Sequence, residues 1–214
     1  NGNCATATTS STANNEESVW VSFDECIDKI TIVYGTGPTS PTTDPTYGKI
    51  YIGDEFGFLT GECGTPCPPA CPDIQVLDFT DAGNDWANNA TGGTYTVGDQ
   101  TFTISTVDND GVFDDSEEFG QGIEIGTDPN TVNDELIICY NLSEVSTEVM
   151  FSIKDLDYKN NPNGSQQQEA VCVYGTLGSD PTQIMPIITS LDGSVAINGN
   201  CAEATTNSNQ GADE

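Results

Sequence analysis

Gln100-Thr-Phe-Thr-Ile-Ser-Thr-Val107 is a stretch of strand length in which Phe102 and Ile104 alternate with hydroxyl side chains. Alternation of this kind sends every second side chain to the same face of an extended backbone. Working outward, similar segments recur at Val19–Phe23, Lys29–Tyr34, Gly48–Gly53, Ile74–Phe79, Thr94–Val97, Glu135–Tyr140, Glu148–Ile153, Ala170–Tyr174 and Ser194–Ile197. Each alternates or runs apolar and is bounded by Gly, Pro, Asn, Asp or other polar residues, and no amphipathic helical run of comparable length competes. Many short strands between polar turns predict an all-β fold, a jelly-roll-like or Ig-like β-sandwich.

The charge narrows the choice of partner. Four lysines, no arginine, no histidine and 34 acidic residues give a formal net charge of -30. Such a surface repels nucleic acid and anionic lipid, so neither is an expected partner. Crowded carboxylates oppose compaction unless cations screen or bridge them, which points to divalent metal and to a salty extracellular medium. No apolar run approaches the ~20 residues that cross a bilayer, and no direct membrane insertion is expected. The aromatic and β-branched residues fall in regular runs, which argues against a disordered acidic chain.

The two ends of the chain match. Asn1-Gly-Asn-Cys-Ala-Thr-Ala-Thr-Thr9 returns as Asn198-Gly-Asn-Cys-Ala-Glu-Ala-Thr-Thr206, which sets a period of 198 − 1 = 197 residues. A period that long is a whole domain, so the chain is expected to be part of a tandem array and a fragment of something longer. Gly61-Glu-Cys-Gly-Thr-Pro-Cys-Pro-Pro-Ala-Cys-Pro72 can be neither helix nor central strand. The expected organisation is residues 1–61 as the C-terminal part of one β-repeat, residues 62–72 as a Cys/Pro-rich joint, and residues 73–214 as the N-terminal part of the next. Whether the two segments pack together or exchange between chains is open.

Eight cysteines without histidine favour disulfides in an oxidising compartment: Cys4, Cys26, Cys63, Cys67, Cys71, Cys139, Cys172 and Cys201. Cys139 with Cys172 is the expected intradomain pair, and the remaining connectivity is open. Calcium wants six to eight oxygens from flexible loops. Val107-Asp-Asn-Asp-Gly-Val-Phe-Asp-Asp-Ser-Glu-Glu118 offers Asp108, Asp110, Asp114, Asp115 and Glu117, with Gly111 for the bend, although the full EF-hand spacing is absent. Asp155 and Asp157 stand two apart after a strand and so share a face. Asp78, Asp81 and Asp85 form a third candidate group. The alternative for all three is a solvated acidic turn.

Trp20-Val-Ser-Phe-Asp-Glu-Cys-Ile-Asp-Lys-Ile-Thr-Ile-Val-Tyr-Gly35 and Val149-Met-Phe-Ser-Ile-Lys-Asp-Leu-Asp157 resemble repeats of giant surface adhesins and filament proteins of Bacteroidota, exported by the type IX route. The second segment is similar to a family strand ending in Asp-Ile-Asp, with Leu156 in place of Ile. The resemblance implies a jelly-roll-like domain within a long cell-surface fibre of the kind used for attachment or for grappling prey.

Three functions compete. A structural or adhesive repeat of a secreted filament, rigidified by Ca2+ and disulfides, agrees with repetition, acidity and cysteine placement. Its expected partners are neighbouring repeats in a homo-oligomeric bundle, with cell-surface glycans or a prey surface as targets. A carbohydrate-binding module is the rival, with Trp20, Trp86, Tyr95, Tyr140 and Tyr158 available for sugar stacking. A glycoside hydrolase using paired carboxylates is the third. Catalysis is not expected, because no histidine serves a triad and some acidic pair is inevitable among so many carboxylates.

Overall fold

Strands form where the alternation in the sequence lets one face be buried and the other face away. The computed structural model describes residues 19–36, 49–52, 55–60, 74–78, 92–107, 111–114, 123–127, 136–154, 156, 158–160, 166–191, 193 and 195–205. These hold sixteen strands and no helix. They are β1 (Val19–Phe23), β2 (Ile27–Thr36), β3 (Lys49–Ile52), β4 (Glu55–Thr60), β5 (Gln75–Asp78), β6 (Gly92–Val97), β7 (Gln100–Thr106) and β8 (Gly111–Asp114). There follow β9 (Ile123–Thr127), β10 (Leu136–Lys154), β11 (Tyr158–Asn160), β12 (Gln166–Leu177), β13 (Asp180–Ile184), β14 (Ile187–Ser190), β15 (Val195–Asn198) and β16 (Cys201–Ala204).

All pairings are antiparallel, and β10, 19 residues long, belongs to two sets of strands. Its first part, Leu136–Leu142, lies between β2 and β7 in the order β6-β7-β10-β2-β12-β16-β15. Its second part lies between β1 and β4 in the order β14-β1-β10-β4-β5, with β3, β9 and β8 continuing beyond Ile153. The molecule is therefore an all-β sandwich with one strand common to both layers.

Rows of core side chains run across the register. Thr106, Ile138, Ile32 and Val173 stand opposite one another in turn, and next to them Ile104, Tyr140, Ile30 and Gly175. From the other layer Phe56 reaches across, its ring centroid 5.3 Å from Tyr140 and 5.4 Å from Phe102. It also stacks 5.1 Å from Phe151, and Phe58 meets Phe102 edge-on at 4.8 Å. Such aromatic pairs add roughly 0.5–1.5 kcal/mol each beyond the area they bury. All four phenylalanines and Tyr140 are fully buried.

The crossing of β10 between layers is held by one side chain. On one edge of β10 the β7 ladder ends at Leu142 and the β4 ladder begins at Ser146, leaving Ser143 and Glu144 between them. Fully buried Gln100 fills that place. Its Nε2 donates to the Glu144 carbonyl at 2.9 Å, and its Oε1 accepts from the Glu144 N–H at 2.9 Å. The Ser143 hydroxyl donates to the same Oε1 at 3.3 Å and accepts from the Thr101 N–H at 2.9 Å. The primary amide thus does for Glu144 what a neighbouring peptide group does along a strand.

One expectation is refined here. The segments read as two strands, Glu135–Tyr140 and Glu148–Ile153, fall on one, β10 (Leu136–Lys154), because Gln100 satisfies the polar Ser143, Glu144 and Ser146 between them. Strands from residues 19–60 and 136–204 pair within one chain and share one core, while the Cys/Pro-rich residues 62–72 lie outside the described residues. Gln100→Ala is expected to lower the free energy of unfolding by about 1–3 kcal/mol, measured in urea. The near-isosteric Gln100→Glu should cost a similar amount, since a carboxylate cannot donate to the Glu144 carbonyl.

Candidate functional site

The stretch repeated at the two ends of the sequence forms, at its second occurrence, a hairpin built residue by residue. Asn198 of β15 stands opposite Cys201 of β16, so Gly199 and Asn200 make a two-residue loop. Gly199 has φ 64°, a left-handed conformation that two-residue hairpins require and glycine adopts at no steric cost. The Asn200 amide donates to the Val173 carbonyl at 3.0 Å, while the Val173 N–H donates to the Asn200 carbonyl at 2.9 Å. Cys201 is disulfide-bonded to Cys172, which stands opposite it on β12. Each residue of Asn-Gly-Asn-Cys therefore has its own part in closing β15 and β16 onto β12.

The expected Cys139–Cys172 pair is not formed. Cys139 is opposite Thr31 and Cys172 is opposite Val33, so β2 runs between them. Two strand spacings come to ~10 Å, beyond the ~7 Å between Cα atoms that a disulfide can span. Cys139 is instead a buried free thiol. Cys26, between β1 and β2, is also disulfide-bonded.

Both ends of the described domain lie around the connection from β14 to β15. Val19, where β1 begins, is opposite Ser190 at the end of β14. Ala204, where β16 ends, is opposite Val195 at the start of β15. Beside them the surface is apolar. Of the six exposed large apolar side chains among the described residues, four fall in this region: Met185 at 52 %, Ile187 at 55 %, Leu191 at 56 % and Ile197 at 39 %. From Thr182 to Ala202 the only charged residue is Asp192, in a chain where charged residues make up 18%. β14 pairs with β1, and β15 with β16, and neither pairs with another described strand on its second edge.

Of the acidic residues singled out from the sequence, Asp78 is exposed on β5 with Glu55 opposite it. Asp114 lies on β8 in register with Glu124 of β9. Asp108, Asp110, Asp115, Glu117, Asp155, Asp157, Asp81 and Asp85 lie outside the described residues, as do Cys4, Cys63, Cys67 and Cys71. Among the described residues no three acidic or thiol groups come together as a metal site. Every aromatic residue whose side chain is described is buried or half-buried, including Trp20, Tyr95, Tyr140 and Tyr158, while Trp86 lies outside the described residues. Trp20, Tyr158 and Tyr174 are the half-buried ones, and the rest of them are buried.

Comparisons with protein-family models, with curated proteins and with solved structures find no match to this chain. What the hairpin edge does must be argued from its own residues. Sequence reasoning found the repeated segment but not the hairpin it makes. The signal was present, because Gly98-Asp99, Gly178-Ser179 and Gly199-Asn200 are all Gly-led two-residue loops between strand-like runs.

The Cys172–Cys201 bond joins positions 29 apart in sequence. Replacing both cysteines by alanine is expected to cost about 3.6 kcal/mol by the loop-entropy estimate, measured as the shift in denaturant midpoint. A second prediction concerns Tyr140, whose hydroxyl is buried with no hydrogen-bond partner among the described residues. Burial, and then nearby Tyr95, raise its pKa well above the ordinary 10.0. The unfolded phenol ionises near 10, so this group's contribution is intact below that pH and is lost as pH rises beyond it. Tyr140→Phe should leave neutral-pH stability unchanged or raise it by about 1 kcal/mol, and should move alkaline unfolding, followed by circular dichroism, to higher pH.

Proposed function

We propose that this domain is a structural or adhesive repeat of a long secreted cell-surface filament, joined head to tail with copies of itself and not catalytic. One observation carries the reading. The segment that recurs after 197 residues is not an arbitrary Thr/Asn tract but the closing hairpin of the sandwich, with its glycine turn, its Asn200 clasp and its disulfide cysteine. On this reading Asn1–Thr9 belongs to a preceding copy, and the repeating unit is counted from β1 to β16. A period holds seven cysteines; with Cys139 buried as a thiol, 7 − 1 = 6 remain, an even number that leaves none obliged to bond between repeats.

The test is the coding sequence on either side of this segment. A strand like Val195-Ala-Ile197 should precede Asn1, and one like Val19-Trp-Val-Ser-Phe23 should begin near position 19 + 197 = 216. Absence of both would sink the repeat.

Calcium is proposed as the counter-charge. Acidic residues in register, as in Asp114 with Glu124, disfavour strand pairing unless a cation relieves them. The ligand-rich loop of Asp108, Asp110, Asp115 and Glu117 offers the oxygens. Millimolar calcium is expected to raise the melting temperature by about 5 °C or more over chelator at equal ionic strength. An unchanged melting temperature would leave these carboxylates as solvated surface.

A further inference from the structure

We propose that the uncharged apolar edge formed by Met185, Ile187 and Leu191, with Ile197 on the adjoining β15, is the surface through which one copy of this domain docks against another. The inference rests on the repeat reading for its tether, and on the exposed edge for its chemistry.

Exposed edge strands are ordinarily protected by charge, proline or a covering element, because their free N–H and C=O groups recruit other strands. Here charge, the simplest of these protections, is nearly absent from this stretch of the sequence. The chain carries a net charge of -30, yet between Thr182 and Ala202 it places one carboxylate. Ile187 and Leu191 are more than half exposed at the two ends of β14, and Met185 stands exposed just before it. β14 and β15 lie against each other, so the apolar side chains belong to one side of the sandwich.

The occupant is a second copy of the same chain. A partner equally acidic is repelled by most of this surface, and the stretch nearly free of charge is where two such bodies approach at least electrostatic cost. The tether leads to the same place. The chain leaves the domain at Thr205, beside Val195, and the next β1 would begin at position 216, a span of 216 − 205 = 11 residues. Fully extended, these reach at most ~40 Å. In that next copy the first residue of β1 stands beside Ser190, at the end of its own β14. The connection therefore delivers the β14–β15 side of one copy to the neighbourhood of the β14–β15 side of the next.

The experiment is sedimentation equilibrium of the 214-residue chain up to ~1 mM, in ~0.5 M salt so that charge repulsion is screened over ~4 Å. A short tether gives an effective concentration in the millimolar range, so a contact able to hold neighbouring repeats must register there as reversible dimer. The Ile187→Asp/Leu191→Asp double variant should weaken association at least tenfold. Its unfolding midpoint should stay unchanged, because both positions are exposed; Ile187→Ser, a milder change, should weaken association in the same direction. A wild-type chain that stays monomeric at ~1 mM, or a folded double variant that associates as well as wild type, would overturn the proposal. Association without repetition in the coding sequence would make this a homodimer contact and fail the repeat reading alone. Repetition without association would do the reverse.

Discussion

A strand that serves two sheets has to change neighbours, and while it changes them its backbone polar groups lose their partners. β10 faces this at Ser143 and Glu144, between the end of the β7 ladder and the start of the β4 ladder. Gln100 resolves it by presenting one donor and one acceptor from a position fully out of solvent. Because Gln100 is the first residue of β7, directly after the Gly98-Asp99 turn, the same side chain fixes where the β6–β7 hairpin sits against β10. The register of β7 against Ile138–Leu142 places Phe102 and Ile104 in the core, so the aromatic packing around Phe56 depends on that join.

The all-β class was legible because period-two alternation is a local property, visible in Gln100–Val107 without knowledge of any neighbour. Continuity was not. Asn141-Leu-Ser-Glu-Val-Ser-Thr147 looks like a break because its polar groups need partners, and the partner lies more than 40 residues away in Gln100. The disulfide was misread for a related reason: Cys139 and Cys172 both sit on strands flanking β2, and sequence does not reveal that β2 comes between them. Short edge strands such as β13 and β14 escaped notice because neither face of them is deeply buried, which leaves little hydrophobic pattern to read. The acidic loops were legible as chemistry, as aspartates at ligand-like spacing, but ligation depends on how oxygens converge, which spacing alone does not fix.

Charge and apolarity are distributed in this chain with opposite logic. The chain holds 34 carboxylate side chains, while one side of the sandwich, from Met185 to Ile197, is nearly bare of charge. A monomer designed only for solubility would place its carboxylates there first. The closing hairpin lies on that same side, and the disulfide binding it to β12 secures the border of the patch.

Because the chain enters and leaves around the β14–β15 connection, tension between its ends would be carried in an unusual way. Pulling does not slide the layers past each other; it peels β1 and β16 away one residue at a time, the weak direction for any ladder of hydrogen bonds. Peeling cannot go far. From Ala204 it meets the Cys172–Cys201 bond after 204 − 201 = 3 residues. The domain yields a few residues of slack at that end and then hands the load to covalent sulfur, so that it behaves under strain as a short spring with a hard stop.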